Sequence, residues 1–493
     1  MPRRVGRPAP SGDGGAVPDG PVSVAGPVVA DQRIDDPAVD TADARVLTPV
    51  GDAAHRAAGA RRPGAMVVGP LAIALAVLLL VGCVASAPVD DSVRLSASPV
   101  AIAGVAPTPP MGWNSWNGYG CGVDARAVEA AADAMVASGM RAAGYRYVVV
   151  DDCWFTPRRT TSGALQADPT RFPQGMKALA DYVHARGLKF GIYQSPNART
   201  CAQLGGTYPG STGSAGHEVL DARTFASWGV DYLKYDWCAP DSNLDRQVAA
   251  FTRMRDALRA TGRAIVYSIN PNSDVPGAPP GAVYDWSGIG TLWRTTNDAY
   301  PGWALGMGTA GGQGIREILD VAATPVARSG PDHWPDPDML DVGVAGVPGT
   351  TYPGLTPAEQ RTQFGMWSML AAPLIAGNAL PYMDETTWRL LTDSEVIAVD
   401  QDPSGPATVV PETGGKVWRR TLSDGSVAVA LWNNGDSDTR ISVPLDALGL
   451  PAADRYVSRN LWTGDQVQST GAVADEVAAH DTVILRVHPA SST

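Results

Sequence analysis

Aspartates end several short apolar runs in this chain, where a buried carboxylate is costly unless it is hydrogen-bonded or put to use. Asp151 and Asp152 follow Tyr147-Val148-Val149-Val150, and Asp236 closes Tyr232-Leu233-Lys234-Tyr235. Asp298 lies four residues after Arg294, and Asp336 and Asp338 share the segment Pro335-Asp336-Pro337-Asp338. One such acid is commonly a helix cap or a salt-bridge partner; four clusters at equivalent places in a repeating pattern point to one site. Two carboxyls flanking a glycosidic bond supply the general acid and the nucleophile that sugar hydrolysis needs, and a separation of roughly 5 to 5.5 Å gives retention of configuration. Asp236 is the expected nucleophile, because the cation of Lys234 favours its ionised form. Asp298 is the expected proton donor, since residues 295–300 read as a loop able to approach a leaving oxygen.

Such acids converge only if strand ends converge. From Pro107 onward, β-rich runs at 110–113, 146–151, 189–193, 232–236, 264–268, 291–295, 333–340 and 373–377 alternate with helical stretches such as 124–138, 176–186 and 243–261. In the last of these, Val248, Phe251, Met254 and Leu258 share one face, and Gly139, Gly187 and Gly262 stand where helices should stop. Eight such units predict an α/β fold, a (β/α)8 TIM barrel over residues 105–400, with a flavodoxin-like sheet as the alternative. Barrel active sites sit at the C-terminal ends of the strands, where these acids fall. After Asp402-Pro403 the texture changes to short alternating runs split by Asp-Gly, Asn-Gly and Pro, so residues 401–493 are expected to form a C-terminal antiparallel β-sandwich. Trp432 and Trp462 either pack its core or offer platforms for sugar stacking.

Composition narrows the function. With 44% hydrophobic and 18% charged residues the chain can bury a large core, and a net charge of -12 is the wrong sign for gripping nucleic acid or an anionic bilayer. Residues 1–63 show no apolar periodicity and are expected to be a disordered extension. Residues 64–88 carry an uncharged apolar run and read as an export signal, with 89–104 as a linker. Within that run Leu80-Val81-Gly82-Cys83 resembles a lipobox, in which Cys83 would be lipidated; cleavage after Ala87 and an uncleaved membrane anchor are the other readings. Either way the remainder is exported, to the outer face of the cell membrane or beyond. Four cysteines then remain in an oxidising compartment, and chain order suggests Cys121 with Cys153 and Cys201 with Cys238, with free buried thiols as the alternative. The histidines show no metal-ligand spacing and no Gly-x-Ser-x-Gly elbow occurs, so neither a metal, a cofactor nor a serine nucleophile is expected.

Five motifs, Met111-Gly112-Trp113-Asn114-Ser115-Trp116, Val150-Asp151-Asp152-Cys153-Trp154, Leu233-Lys234-Tyr235-Asp236, Trp293-Arg294 through Asp298, and Pro335 through Leu340, together resemble glycoside hydrolase family 27. That is the α-galactosidase and α-N-acetylgalactosaminidase family, and the resemblance runs from about Pro107 to the end. It implies a retaining exo-hydrolase that releases terminal α-galactosyl residues from oligo- or polysaccharides, with Asp236 as nucleophile and Asp298 as acid/base. It also implies sugar contacts from Trp113, Asp151, Asp152, Tyr193, Lys234 and Arg294, support from Asp336 and Asp338, and the same two disulfides. One motif departs: the family usually reads Tyr-Ser-Cys-Glu-Trp after the fifth strand, its Glu meeting the sugar 2-hydroxyl, whereas here Tyr267-Ser268-Ile269-Asn270-Pro271 stands. Asn270 is therefore the expected C2 contact, and the departure keeps β-L-arabinopyranosidase, α-N-acetylgalactosaminidase and isomalto-dextranase as alternatives. A surface carbohydrate-binding protein without catalysis is the non-enzymatic one.

Overall fold

The computed structural model describes residues 101–490 except 240–242, 273–280, 282–283, 307–311, 325–327 and 346–351. The expected extension, export segment, Cys83 and most of the linker lie outside the described residues. Residues 101–104, assigned to the linker, pack on the folded body: Ala101 is fully buried, and the Asp332 carboxylate accepts hydrogen bonds from the amides of Gly104, Val105 and Ala106 at 2.6–2.8 Å.

Eight parallel strands form one sheet: β1 (Met111–Asn114), β2 (Tyr147–Val150), β3 (Lys189–Gln194), β4 (Tyr232–Asp236), β5 (Val266–Asn270), β6 (Leu292–Arg294), β7 (Trp334–Asp336) and β8 (Leu374–Ala376). Their order runs from β7 down to β1 and then to β8. Their side chains are buried on both faces, as strands wrapped by crossover helices must be. The ring closes beyond β7, where Leu340 bridges Ala376, its amide donating to Ile375 O at 2.7 Å. The run expected as one strand over 333–340 is thus broken after Asp336, because Pro337 cannot donate to a ladder and Asp338 adopts φ 93°. That break turns Asp338 towards the barrel mouth.

The helices form where capping and periodicity dictate. Ala125–Ala137 is capped by the Asp124 carboxylate, which accepts from Ala127 N, and buries Val128, Ala131, Ala132 and Met135 at three- and four-residue spacing. Leu244–Ala260 buries Phe251, Met254 and Leu258, with Val248 at the edge of that face.

The C-terminal part has a six-stranded antiparallel sheet and a two-stranded one, between which Val417, Val429, Leu431, Val443, Val473 and Val487 make a separate apolar core. Trp432 is buried against the Trp303 ring, and Trp462 donates its indole N–H to Thr482 O while packing over Gly365. Both tryptophans therefore pack against the barrel rather than standing free as sugar platforms. The buried Arg420 guanidinium donates to the carbonyls of Ser368, Asp402 and Ser404, pinning the sandwich to the barrel.

Candidate active site

The strand ends enclose a cavity of about 390 Å³ whose lining includes Asp151, Asp152, Tyr193, Lys234, Asp236, Asn270, Arg294, Asp298 and Asp338. The side chains fall into two charge clusters. In the first, Lys234 Nζ donates to Asp151 Oδ2 at 2.8 Å and lies 3.4 Å from Asp236 Oδ2. Asp151 Oδ2 also accepts from Asn114 Nδ2 at 2.7 Å, and its Oδ1 accepts from Asp152 N at 2.8 Å. Asp152 is occupied by backbone: Oδ1 accepts from Cys153 N and Oδ2 from Ala202 N. Asp236 differs, since its Oδ1 is buried and meets no hydrogen-bonding group of the protein. An oxygen held in place with free lone pairs can attack a carbon.

Burial pushes the Asp236 carboxyl up to about 7; the Asp151 and Asp298 charges push the same way, while Lys234 and Arg294 pull it down. The pull of Lys234 towards the ionised form is present as expected, but desolvation outweighs it, and the lysine's shorter contact is with Asp151.

In the second cluster the buried Arg294 guanidinium reaches Asp338 Oδ1 at 2.9 Å and Asp298 Oδ1 at 3.1 Å. Asp338 Oδ2 accepts from Ala299 N, and Asp338 N donates to Asp336 Oδ1, so β7's acids fix the loop that carries Asp298. The Asp298 side chain is 45% exposed against 10% for Asp236. One carboxyl is thus enclosed and the other open to water across a shared cavity.

Two expected sugar contacts fare differently. Trp113 is fully buried, donates its indole N–H to Asn378 O at 2.7 Å, and does not line the cavity. It lies on β1 itself, whereas Trp116, past the end of that strand, lines the cavity instead. Tyr193 does line it, with its hydroxyl 3.4 Å from Cys238 Sγ. The disulfides are Cys121–Cys153 and Cys201–Cys238, and the second ties the short helix Cys201–Leu204 to the segment just after Asp236. Asn270 ends β5 in the cavity wall, its Oδ1 accepting from Asn272 N at 3.0 Å. His333 precedes β7, at the opposite strand end from the site, and bonds Pro331 O.

A residue that motif reading passed over supports the wall. Asp341 is fully buried; its Oδ1 accepts from Asn117 Nδ2 at 2.7 Å and its Oδ2 meets no partner. Burial and the Asp338 charge push its carboxyl up to about 8. A raised folded-state value stabilises the fold at low pH, and that contribution is lost as pH rises from about 4 through about 8. Asp341→Asn is accordingly expected to change the Tm little at pH 4 and to raise it by several degrees over the parent at pH 8. Equal shifts at both values, read by calorimetry, would contradict a protonated Asp341.

Residues 108–402 match the family model described as "Alpha galactosidase A", and residues 412–487 match "Alpha galactosidase C-terminal beta sandwich domain". The chain belongs to glycoside hydrolase family 27. It is 40% identical over 412 residues to alpha-galactosidase A of Cellvibrio japonicus, covering 80% of this chain and 96% of that one. Alpha-galactosidase I from Mortierella vinacea shares the fold with a TM-score of 0.68 at 33% identity, covering 79% of this chain and 99% of that one. A family 27 β-L-arabinopyranosidase from Geobacillus stearothermophilus gives 0.67 at 27% identity, with 79% and 98% covered. The two charge clusters, one from the ends of β2 and β4 and the other from the ends of β6 and β7, line one cavity at the mouth of this family 27 barrel.

Proposed function

We propose that this family 27 protein is a retaining α-galactosidase that cleaves terminal α-galactosyl residues from oligo- or polysaccharides. The observation that carries the reading is the pairing, across one cavity, of an enclosed carboxylate with a free oxygen and a water-exposed one on a loop. Asp236 attacks the anomeric carbon while Asp298 protonates the departing oxygen; Asp298, then ionised, draws a proton from the water that releases the sugar. Asp151, Asp152 and Lys234 bind ring hydroxyls, Trp116 stacks on the apolar C–H patch, and Arg294 orients Asp298. Hydrolysis of nitrophenyl α-galactoside, β-L-arabinopyranoside and α-N-acetylgalactosaminide side by side tests the assignment. The α-galactoside should lead, and preference for either of the others overturns it.

Asn270 meets the 2-hydroxyl through its Nδ2, because Oδ1 is engaged by Asn272 N. Asn270→Glu is expected to shift preference further towards sugars with a free 2-hydroxyl, by about tenfold in the kcat/KM ratio of galactoside to N-acetylgalactosaminide. An unchanged ratio would remove Asn270 from C2. The two disulfides accord with export, and we place the protein at the outer membrane face through a lipid on Cys83. Cys83→Ala is expected to move the activity from the membrane fraction to the medium; activity that stays with the membrane argues for a spanning anchor.

A further inference from the structure

Beside the catalytic cavity runs a second groove, of about 550 Å³, between the loop after β1 and the loop after β8. The two adjoin at Asn117, which belongs to the wall of both. At the groove stands Tyr382, on the 3-10 turn Leu380–Tyr382 that follows β8. It is 85% exposed, and among the described residues every other phenylalanine, tryptophan and tyrosine side chain is buried or half-buried. A phenol left in water where its like are covered, beside the mouth of a carbohydrate site, has the geometry of a stacking platform.

The rest of the lining fits an uncharged, hydroxyl-rich ligand. Asn117, Gln360, Asn378 and Thr387 offer amide and hydroxyl groups, and no lysine or arginine lines the groove. Its one carboxylate, Asp384, is engaged as a helix cap by Thr387 N at 2.7 Å. The Asn117 side chain is held by Asp341, and the Asn378 backbone carbonyl accepts the Trp113 indole N–H, so this stretch of wall is fixed in place. A side chain at Gly343 would meet Thr387 Cγ2 at 2.5 Å, so a glycine there keeps the groove open.

We propose that this groove binds the backbone of a polysaccharide substrate, a flat ribbon of uncharged β-linked hexoses, while its α-galactosyl branch occupies the catalytic cavity. The proposal rests on the α-galactosidase reading for the branch, but the groove's own binding does not. Stacking on one aromatic is worth about three- to tenfold in affinity.

Tyr382→Ala is expected to raise KM for a galactosylated β-mannan about three- to tenfold relative to KM for nitrophenyl α-galactoside, with kcat on the polymer kept. Tyr382→Trp should restore the polymer KM. Mannopentaose, which has no galactose, should bind the unmodified enzyme and lose that binding in Tyr382→Ala, as followed by perturbation of NMR signals. Parallel loss on polymer and aryl substrate, an unchanged polymer KM, or mannopentaose binding indifferent to Tyr382 each overturns the proposal. Should the unmodified enzyme cleave no α-galactoside, the proposed function fails, and the mannopentaose measurement still decides the groove.

Discussion

Asp236→Ala is expected to lower kcat on every α-galactoside by on the order of 10⁴-fold or more, since no neighbouring group can take over the attack. Asp151 is held by Lys234 and Asn114, and both oxygens of Asp152 accept backbone amides, so neither carboxylate is free to shift onto the anomeric carbon. Small anions offer a check that separates lost chemistry from lost folding. In the alanine variant azide can enter the vacated space and attack from the same face, restoring cleavage of nitrophenyl α-galactoside and giving the β-galactosyl azide. An α-linked azide, or full activity without azide, would contradict the role given to Asp236.

Asp298→Ala is expected to divide substrates by leaving group. From melibiose and raffinose the leaving group is a sugar alkoxide that needs a proton, and kcat/KM for these substrates should fall by about 10²- to 10⁴-fold. Nitrophenolate leaves without help, so the bond-breaking step for nitrophenyl α-galactoside should be nearly spared. The fold should tolerate the change, because Asp298 is nearly half-exposed and Arg294 keeps its 2.9 Å contact with Asp338. Equal loss on both kinds of substrate, measured by single-turnover kinetics, would show that Asp298 is not the proton donor.

Much of this arrangement is legible in the residues alone, for a physical reason. A barrel strand is buried on both faces and ends where its loop meets the site, so an apolar run closed by Asp or Lys-Tyr-Asp reads as strand and site together. That pattern locates β2 and β4 and their acids within a residue of where they lie. Where the reading failed, identity of residue type hid a difference of position. Trp113 and Trp116 are three apart in one motif, but one lies on the strand and packs inside, while the other lies past its C-terminal end, where barrel sites are built. Applying that end rule within the motif would have selected Trp116.

The ionisation of Asp236 was illegible for another reason. Its neighbour Lys234 is visible in sequence, but desolvation and the Asp151 and Asp298 charges come from folding, and they outweigh the lysine. Asp341 carries no signal of any kind in the sequence: an ordinary acid after Met-Leu, it matters only because Asn117 from the loop after β1 is brought against it. The break after β7 was signalled by Pro337, which a strand drawn through 333–340 overlooked.

The stereochemistry of the first product tests the paired-carboxyl account most directly. Proton NMR of the early reaction with nitrophenyl α-galactoside should show α-galactose appearing first, with the β-anomer growing later by mutarotation, because attack by Asp236 and then by water inverts the centre twice. β-Galactose as the initial product would mean that water attacks directly, and that Asp236 and Asp298 do not divide the work as proposed.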